Sequence, residues 1–140
     1  MESIVVNERV SVPASAVTFQ AARASGPGGQ NVNKVSSKVE LRVDIAAIDG
    51  LTSDQRHRLR AANQSRMDEE GRLVVTSQTT RSQLQNLEEA RDKIRQMVAS
   101  ALVAPKRRIA TKPTRASKAR RLDSKKKNAE KKKGRRDVGY

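Results

Sequence analysis

The sequence predicts an α+β fold: a small mixed sheet with helices packed on one face, followed by a basic C-terminal tail that is disordered until bound. Three observations point there. Residues 39–45 (Val-Glu-Leu-Arg-Val-Asp-Ile) alternate apolar and charged side chains, the period of a half-buried strand. Farther along, Leu84, Leu87, Ile94, Met97, Val98, Ala101 and Leu102 recur mostly at three- and four-residue steps, the stripe of an amphipathic helix. Beyond Pro105 the composition falls to Lys, Arg, Ala, Ser and Pro, too polar to offset the entropy of ordering.

The elements follow in order. Val10, Ser11 and Val12 read as a short strand stopped by Pro13. A second extended run goes from Val17 to Ala24, after which residues 25–30 break the pattern with glycine and proline. Next comes the alternating strand at 39–45, with Gly50 closing the loop that follows it. Thr52 and Gln55 have capping-box spacing, which predicts a helix over 53–66 with Leu59 and Ala62 toward the core. Gly71 turns the chain into a strand at 73–77. Ser82 and Gln85 form a second capping box in front of the long helical stripe, which has roughly five turns. The layout is a body over residues 1–104 and a tail over 105–140, with no internal repeat.

Charge separates the two parts. The chain carries 30 Lys and Arg against 15 Asp and Glu, a net of +15. Residues 1–104 account for +2 of it and residues 105–140 for +13. A near-neutral body with a cationic arm suits a polyanion. The arm offers only Ile109, Leu122 and Val138 as an apolar face, too little for a membrane surface, so nucleic acid is the expected partner. Phe19 and Tyr140 are the only aromatic residues, which leaves no platform for stacking bases and makes phosphate contacts dominant. With no cysteine, disulfides, thiolate metal sites and a cysteine nucleophile are excluded. The first residues lack the basic segment and long apolar run of a signal peptide, and the expectation is a soluble cytoplasmic protein.

The break at Ser25-Gly26-Pro27-Gly28-Gly29-Gln30-Asn31-Val32-Asn33-Lys34 holds three glycines in four positions. A two-residue turn would suffice to join two strands. Glycines in this density let the backbone reach positive φ and let another molecule come close to the main chain; the plainer reading is a flexible hairpin loop. Known phosphate loops do not fit. Gly26 is followed at the Walker A distance by Asn31-Val32 rather than Gly-Lys, and Asn31 stands where the dinucleotide fingerprint needs a third glycine.

In its ten-residue context, Gly28-Gly29-Gln30 resembles the catalytic loop of class I peptide-chain release factors, with Ser25-Gly26-Pro27 before it and Val32-Asn33-Lys34 after it. Asn31 departs from the His common there. A second, remote match lies in residues 113–122 (Pro-Thr-Arg-Ala-Ser-Lys-Ala-Arg-Arg-Leu), which resemble the tail of the ribosome-rescue members of that family. The resemblance implies a Gly-Gly-Gln domain that hydrolyses the peptidyl-tRNA ester on stalled ribosomes without reading a stop codon. Gly28, Gly29 and Gln30 would be catalytic, the Gln30 N–H serving as donor to the tetrahedral intermediate. Ser25, Gly26, Pro27, Asn33 and Lys34 would contact tRNA and rRNA beside it. Arg115, Lys118, Arg120, Arg121, Leu122 and Lys125 would enter the empty mRNA channel of the small subunit and fold there, while the loop reaches the large-subunit peptidyl-transferase centre. The implied partners are the ribosome, its rRNA and peptidyl-tRNA. No cofactor, metal or membrane is implied, and a monomer is expected.

Other polar features read as bland. His57, the sole histidine, falls in the first predicted helix, far in sequence from the loop, and reads as a surface or packing residue. Asp68, Glu69 and Glu70 precede Gly71 without metal-ligand spacing and read as a solvated turn. Two rival readings keep the basic arm: a non-catalytic rRNA-binding or assembly protein, and a hydrolase acting on split large subunits. The chain is also too short to hold a codon-reading domain beside the body, which favours codon independence.

Overall fold

A computed structural model describes residues 1–23 and 37–138, and the chain divides into two compact units, Met1–Pro105 and Lys106–Tyr140. In the first unit β1 (Ile4–Val5) pairs antiparallel with β2 (Ser11–Val12). The turn between them is held by the Asn7 carboxamide oxygen, which accepts from the N–H groups of Arg9 and Val10, both at 2.8 Å. The main sheet holds β3 (Val17–Ala22), β4 (Lys38–Val43) and β5 (Leu73–Ser77) in that spatial order.

The expected mixed sheet is antiparallel throughout its described pairings. The consecutive strands β3 and β4 pair antiparallel, and β5 returns to β4 after α1 (Ser53–Ala62) and pairs antiparallel as well. Alternation along β4 works as its sequence predicts: Val39, Leu41 and Val43 are fully buried, and Lys38, Glu40 and Arg42 turn to the opposite face. Ile45, the last member of the alternating run, is also buried but lies in a single 3-10 turn over Ile45–Ala47. Asp44 caps that turn through the Ala46 N–H.

The long helix α2 (Gln83–Leu102) packs on β4 and β5, and α1 packs on α2. Ser82 caps α2 by accepting from Gln85 N–H, but only half of the second capping box forms, because the Ser82 N–H donates to Thr80 Oγ1 instead. The buried seam of α2 runs Asn86, Ala90, Ile94, Val98 and Ala101, a line that passes Leu84 by and leaves it 69% exposed. Ala90, too small to stand out in a hydrophobic pattern, is fully buried on the face that packs on the sheet. Ile94 and Val98 fill the centre, where truncation of such side chains costs about 2–5 kcal/mol.

For α1 the capping box is complete: Thr52 Oγ1 accepts from Gln55 N–H and the Gln55 side chain accepts from Thr52 N–H. Leu59 is its buried anchor. Ala62, expected in the core, is exposed beside a surface groove that Met97 and Ala101 also line. The helix stops at Ala62, four residues short of the predicted end. Asn63 bonds its amide back to the Leu59 carbonyl at 2.9 Å, and residues Gln64–Arg66 tighten into a 3-10 turn. Gly50 takes φ +84°, and a Cβ there would lie 1.9 Å from the Arg9 carbonyl oxygen, so this turn admits glycine alone.

The second unit contains α3 (Arg115–Asp137), where the composition predicts a segment disordered until bound. Thr114 caps it by accepting from Ser117 N–H at 3.1 Å, and an Asp123–Lys127 ion pair lies along it. Lys, Arg and Ala are good helix formers, which accounts for the helical backbone. None of its residues is buried, so local propensity rather than packing supports it.

Candidate active site

The residues expected to carry the chemistry, Ser25, Gly26, Pro27, Gly28, Gly29, Gln30, Asn33 and Lys34, lie outside the described residues. Their frame is described on both sides. β3 ends at Ala22 and β4 begins at Lys38, and these two residues are register partners. The intervening segment therefore leaves and re-enters the sheet at one end of one hairpin.

That end of the sheet is tied to the start of α2. Strand β5 finishes at Ser77, opposite Val39, so the β4–β5 ladder stops short of Ser37. The Ser37 carbonyl is met by Asn86 Nδ2 at 2.7 Å. The same amide nitrogen donates to the Thr80 carbonyl at 2.9 Å, while Asn86 Oδ1 accepts from Thr80 N–H at 3.0 Å and from Thr80 Oγ1 at 2.9 Å. One turn farther along α2, Glu89 accepts from the hydroxyls of Thr79 and Ser77 and pairs with Lys93. The Thr79 hydrogen bond, then those of Lys93 and Ser77, hold the Glu89 carboxyl well below its ordinary range, at about 2.

Neither Asn86 nor Ser37 stands out in the hydrophobic pattern of the sequence. A weaker signal exists: an asparagine four residues beyond the Ser82 cap, inside a helix, goes against local propensity, and such conflicts mark places where tertiary contacts decide.

The other polar candidates separate from this end. His57 is exposed on α1. Asp68 accepts from the Arg72 and Glu70 N–H groups and pairs with Arg72 at 3.0 Å and Arg42 at 3.8 Å. Its carboxyl is lowered chiefly by the Arg72 N–H. Asp68 thereby organises the turn before β5. Among the described residues no three His, Cys, Asp or Glu side chains are grouped as metal ligands, and no helix is long and apolar enough to cross a membrane.

In the second unit, helical spacing sorts the predicted tail residues. Arg115, Lys118, Arg121 with its neighbour Leu122, and Lys125 recur at three- and four-residue steps and share one face of α3. Arg120 falls on the other side, its Nε 3.4 Å from the Ala116 carbonyl. Leu122, 57% exposed, is the apolar member of the shared face.

The chain is 38% identical over 137 residues to Peptidyl-tRNA hydrolase ArfB of Pseudomonas putida, covering 98% of this chain and 99% of that protein. It is 40% identical over 95 residues to Large ribosomal subunit protein mL62 of Mus musculus, covering 68% of this chain and 46% of the mouse protein. The RF-1 domain model matches residues 6–138, nearly the whole chain, which therefore belongs to the RF-1 domain family.

Proposed function

We propose that this protein hydrolyses the ester bond of peptidyl-tRNA on stalled ribosomes, independently of a stop codon. The observation that carries the reading is the near-complete match to a peptidyl-tRNA hydrolase together with Gly28-Gly29-Gln30 set between paired strands. Residues 1–104 form the catalytic domain and residues 105–140 the ribosome-binding tail. Partners are the ribosome, its rRNA and peptidyl-tRNA; the protein acts as a cytoplasmic monomer.

Ester hydrolysis passes through a tetrahedral intermediate whose oxyanion is stabilised by a donor fixed in advance. The Gln30 N–H is that donor, and Gly28 and Gly29 supply the backbone freedom to aim it. The Gln30 side chain shapes the space for the attacking water, and proton transfer falls to water and the tRNA ribose. Ser25, Gly26, Pro27, Asn33 and Lys34 hold the loop against tRNA and rRNA. Arg115, Lys118, Arg120, Arg121, Leu122 and Lys125 bind the vacant mRNA channel, where released counterions favour association. Binding there also stabilises α3, a helix without packing of its own.

The test is release of formyl-methionine from formyl-methionyl-tRNA on ribosomes without mRNA. Release by the full chain supports the reading. Ribosome binding without release returns the protein to the non-catalytic class. Activity on split large subunits that survives removal of the tail, with none on intact stalled ribosomes, favours the split-subunit alternative.

A further inference from the structure

We propose that Asn86 is a positioning residue for peptide release, fixing the point at which the catalytic segment rejoins the sheet; this inference rests on the hydrolase reading above. Asn86 is fully buried in the seam of α2, among Ala90, Ile94 and Val98, where an apolar side chain would serve packing as well. Its amide instead makes four hydrogen bonds, with both donors and the acceptor oxygen used. A buried amide so fully matched ties specific groups together, because each unmade bond would leave a desolvated polar atom.

The groups it ties are informative. The Thr80 contacts lock the connection between β5 and α2. The Ser37 contact reaches 49 positions back along the sequence, to the first described residue after the segment that contains Gln30. Ser37 precedes Lys38, the partner of Ala22, so the hairpin register alone fixes the chain only from Lys38 onward. With β5 ending opposite Val39, no strand among the described residues receives the Ser37 carbonyl, and the Asn86 amide takes that place. Catalytic groups held within about 0.5 Å depend on such supporting contacts. A misplacement of about 1 Å, even from a distant change, costs up to about a hundredfold in rate.

The experiment is single-turnover release from stalled ribosomes, followed across protein concentration, for wild type, Asn86→Ala, Thr80→Val and Ile94→Val. Asn86→Ala should lower the saturating rate by between about tenfold and a hundredfold and leave the half-saturating concentration within about twofold of wild type. Thr80→Val keeps the main-chain bonds of residue 80 to Asn86 and removes the hydroxyl's contacts to Asn86 and to the Ser82 main chain. It should slow the same rate by about threefold, and it decides the matter if Asn86→Ala does not fold. Ile94→Val loosens the core without touching the amide and should release at the wild-type rate. An unchanged saturating rate in the folded Asn86 variant (or in Thr80→Val where that variant decides), a change confined to half-saturation, or an equal loss in Ile94→Val overturns the inference. A wild-type protein that binds ribosomes and releases nothing removes the hydrolase reading itself.

Discussion

Arg58 Nε donates to the main-chain carbonyl of Ala101 at 3.0 Å, and Arg58 Nη2 lies 3.5 Å from the carbonyl of Leu102. The last carbonyls of a helix lack intrahelical partners, and α2 carries no basic residue in its own final turn. An arginine of α1 supplies both the donors and the positive charge that the end of α2 calls for. Arg58 thus ties the two helices together through main-chain carbonyls of α2. Arg58→Ala should lower stability by about 1 kcal/mol in urea denaturation. Arg60→Ala, an exposed change on the same helix, should stay within about 0.5 kcal/mol of wild type. Equal losses would mean that the cross-helix cap contributes nothing specific at Arg58.

A pH dependence follows from Glu89. Its carboxyl sits at about 2 in the folded protein against an ordinary value of 4.5, so the folded state favours the ionised form. The stabilisation is complete above 4.5 and is lost as pH falls from there toward about 2, where the folded protein also takes up the proton. Glu89→Gln should therefore be less stable than wild type at neutral pH, and the gap should narrow through this acid window. The side chain is solvent-accessible, so the size of the gap is modest. Parallel stability curves for the two proteins from pH 7 to pH 2 would show that the Thr79, Ser77 and Lys93 contacts do not favour the carboxylate.

Much of the body can be read from the sequence wherever one face of an element is buried and the other is wet. The alternation over 39–43 and the cap at Thr52 appear in the structure with the same residues in the same roles, while Ile45 is buried from a 3-10 turn rather than from the strand. Reading fails where packing depends on small or polar side chains. Ala90 and Asn86 lie on the seam of α2, whereas Leu84, more apolar than either, lies off it. The β1 strand is not legible because two residues carry no periodicity; Arg91 and Arg95 hold its flanks by donating to the carbonyls of Ser3 and Val5. The glycine loop is legible only as a local motif. The tie from Asn86 to Ser37 spans the fold, and no local pattern encodes it.

The tail gives a salt prediction with an internal control. If residues 105–140 bind through phosphates, deleting them should flatten the dependence of ribosome affinity on salt, by roughly 0.7–0.9 in log–log slope for each phosphate that the tail had neutralised. The shared face of α3 refines this. Replacing Lys118 and Arg121 together with Ala should reduce the slope more than replacing Lys127 and Lys131, since Lys127 is already paired with Asp123 and both lie off the face. An unchanged slope in the truncated chain would take the tail out of the binding interaction. Equal slopes in the two double variants would mean that charge alone, without helical presentation, carries it.

The proposed mechanism turns on the backbone of Gln30 rather than its side chain, and two substitutions separate them. Gln30→Ala keeps the N–H and removes the carboxamide; Gln30→Pro deletes the N–H and fixes φ near −65°. Loss of one oxyanion donor costs about 2.7–4 kcal/mol of transition-state stabilisation, or roughly a hundredfold to a thousandfold in rate. Gln30→Pro should therefore lose release by at least about a hundredfold in single-turnover assays at saturating protein. Gln30→Ala should keep more activity than Gln30→Pro but discriminate less between water and other small nucleophiles, because the space shaped by the carboxamide is then open. Both should bind stalled ribosomes like wild type, since the residues of the tail are unaltered. Circular dichroism would establish that the proline variant retains the fold. If that variant releases peptide as fast as wild type, the Gln30 N–H is not the donor, and the stabilisation must come from another main-chain group or from rRNA.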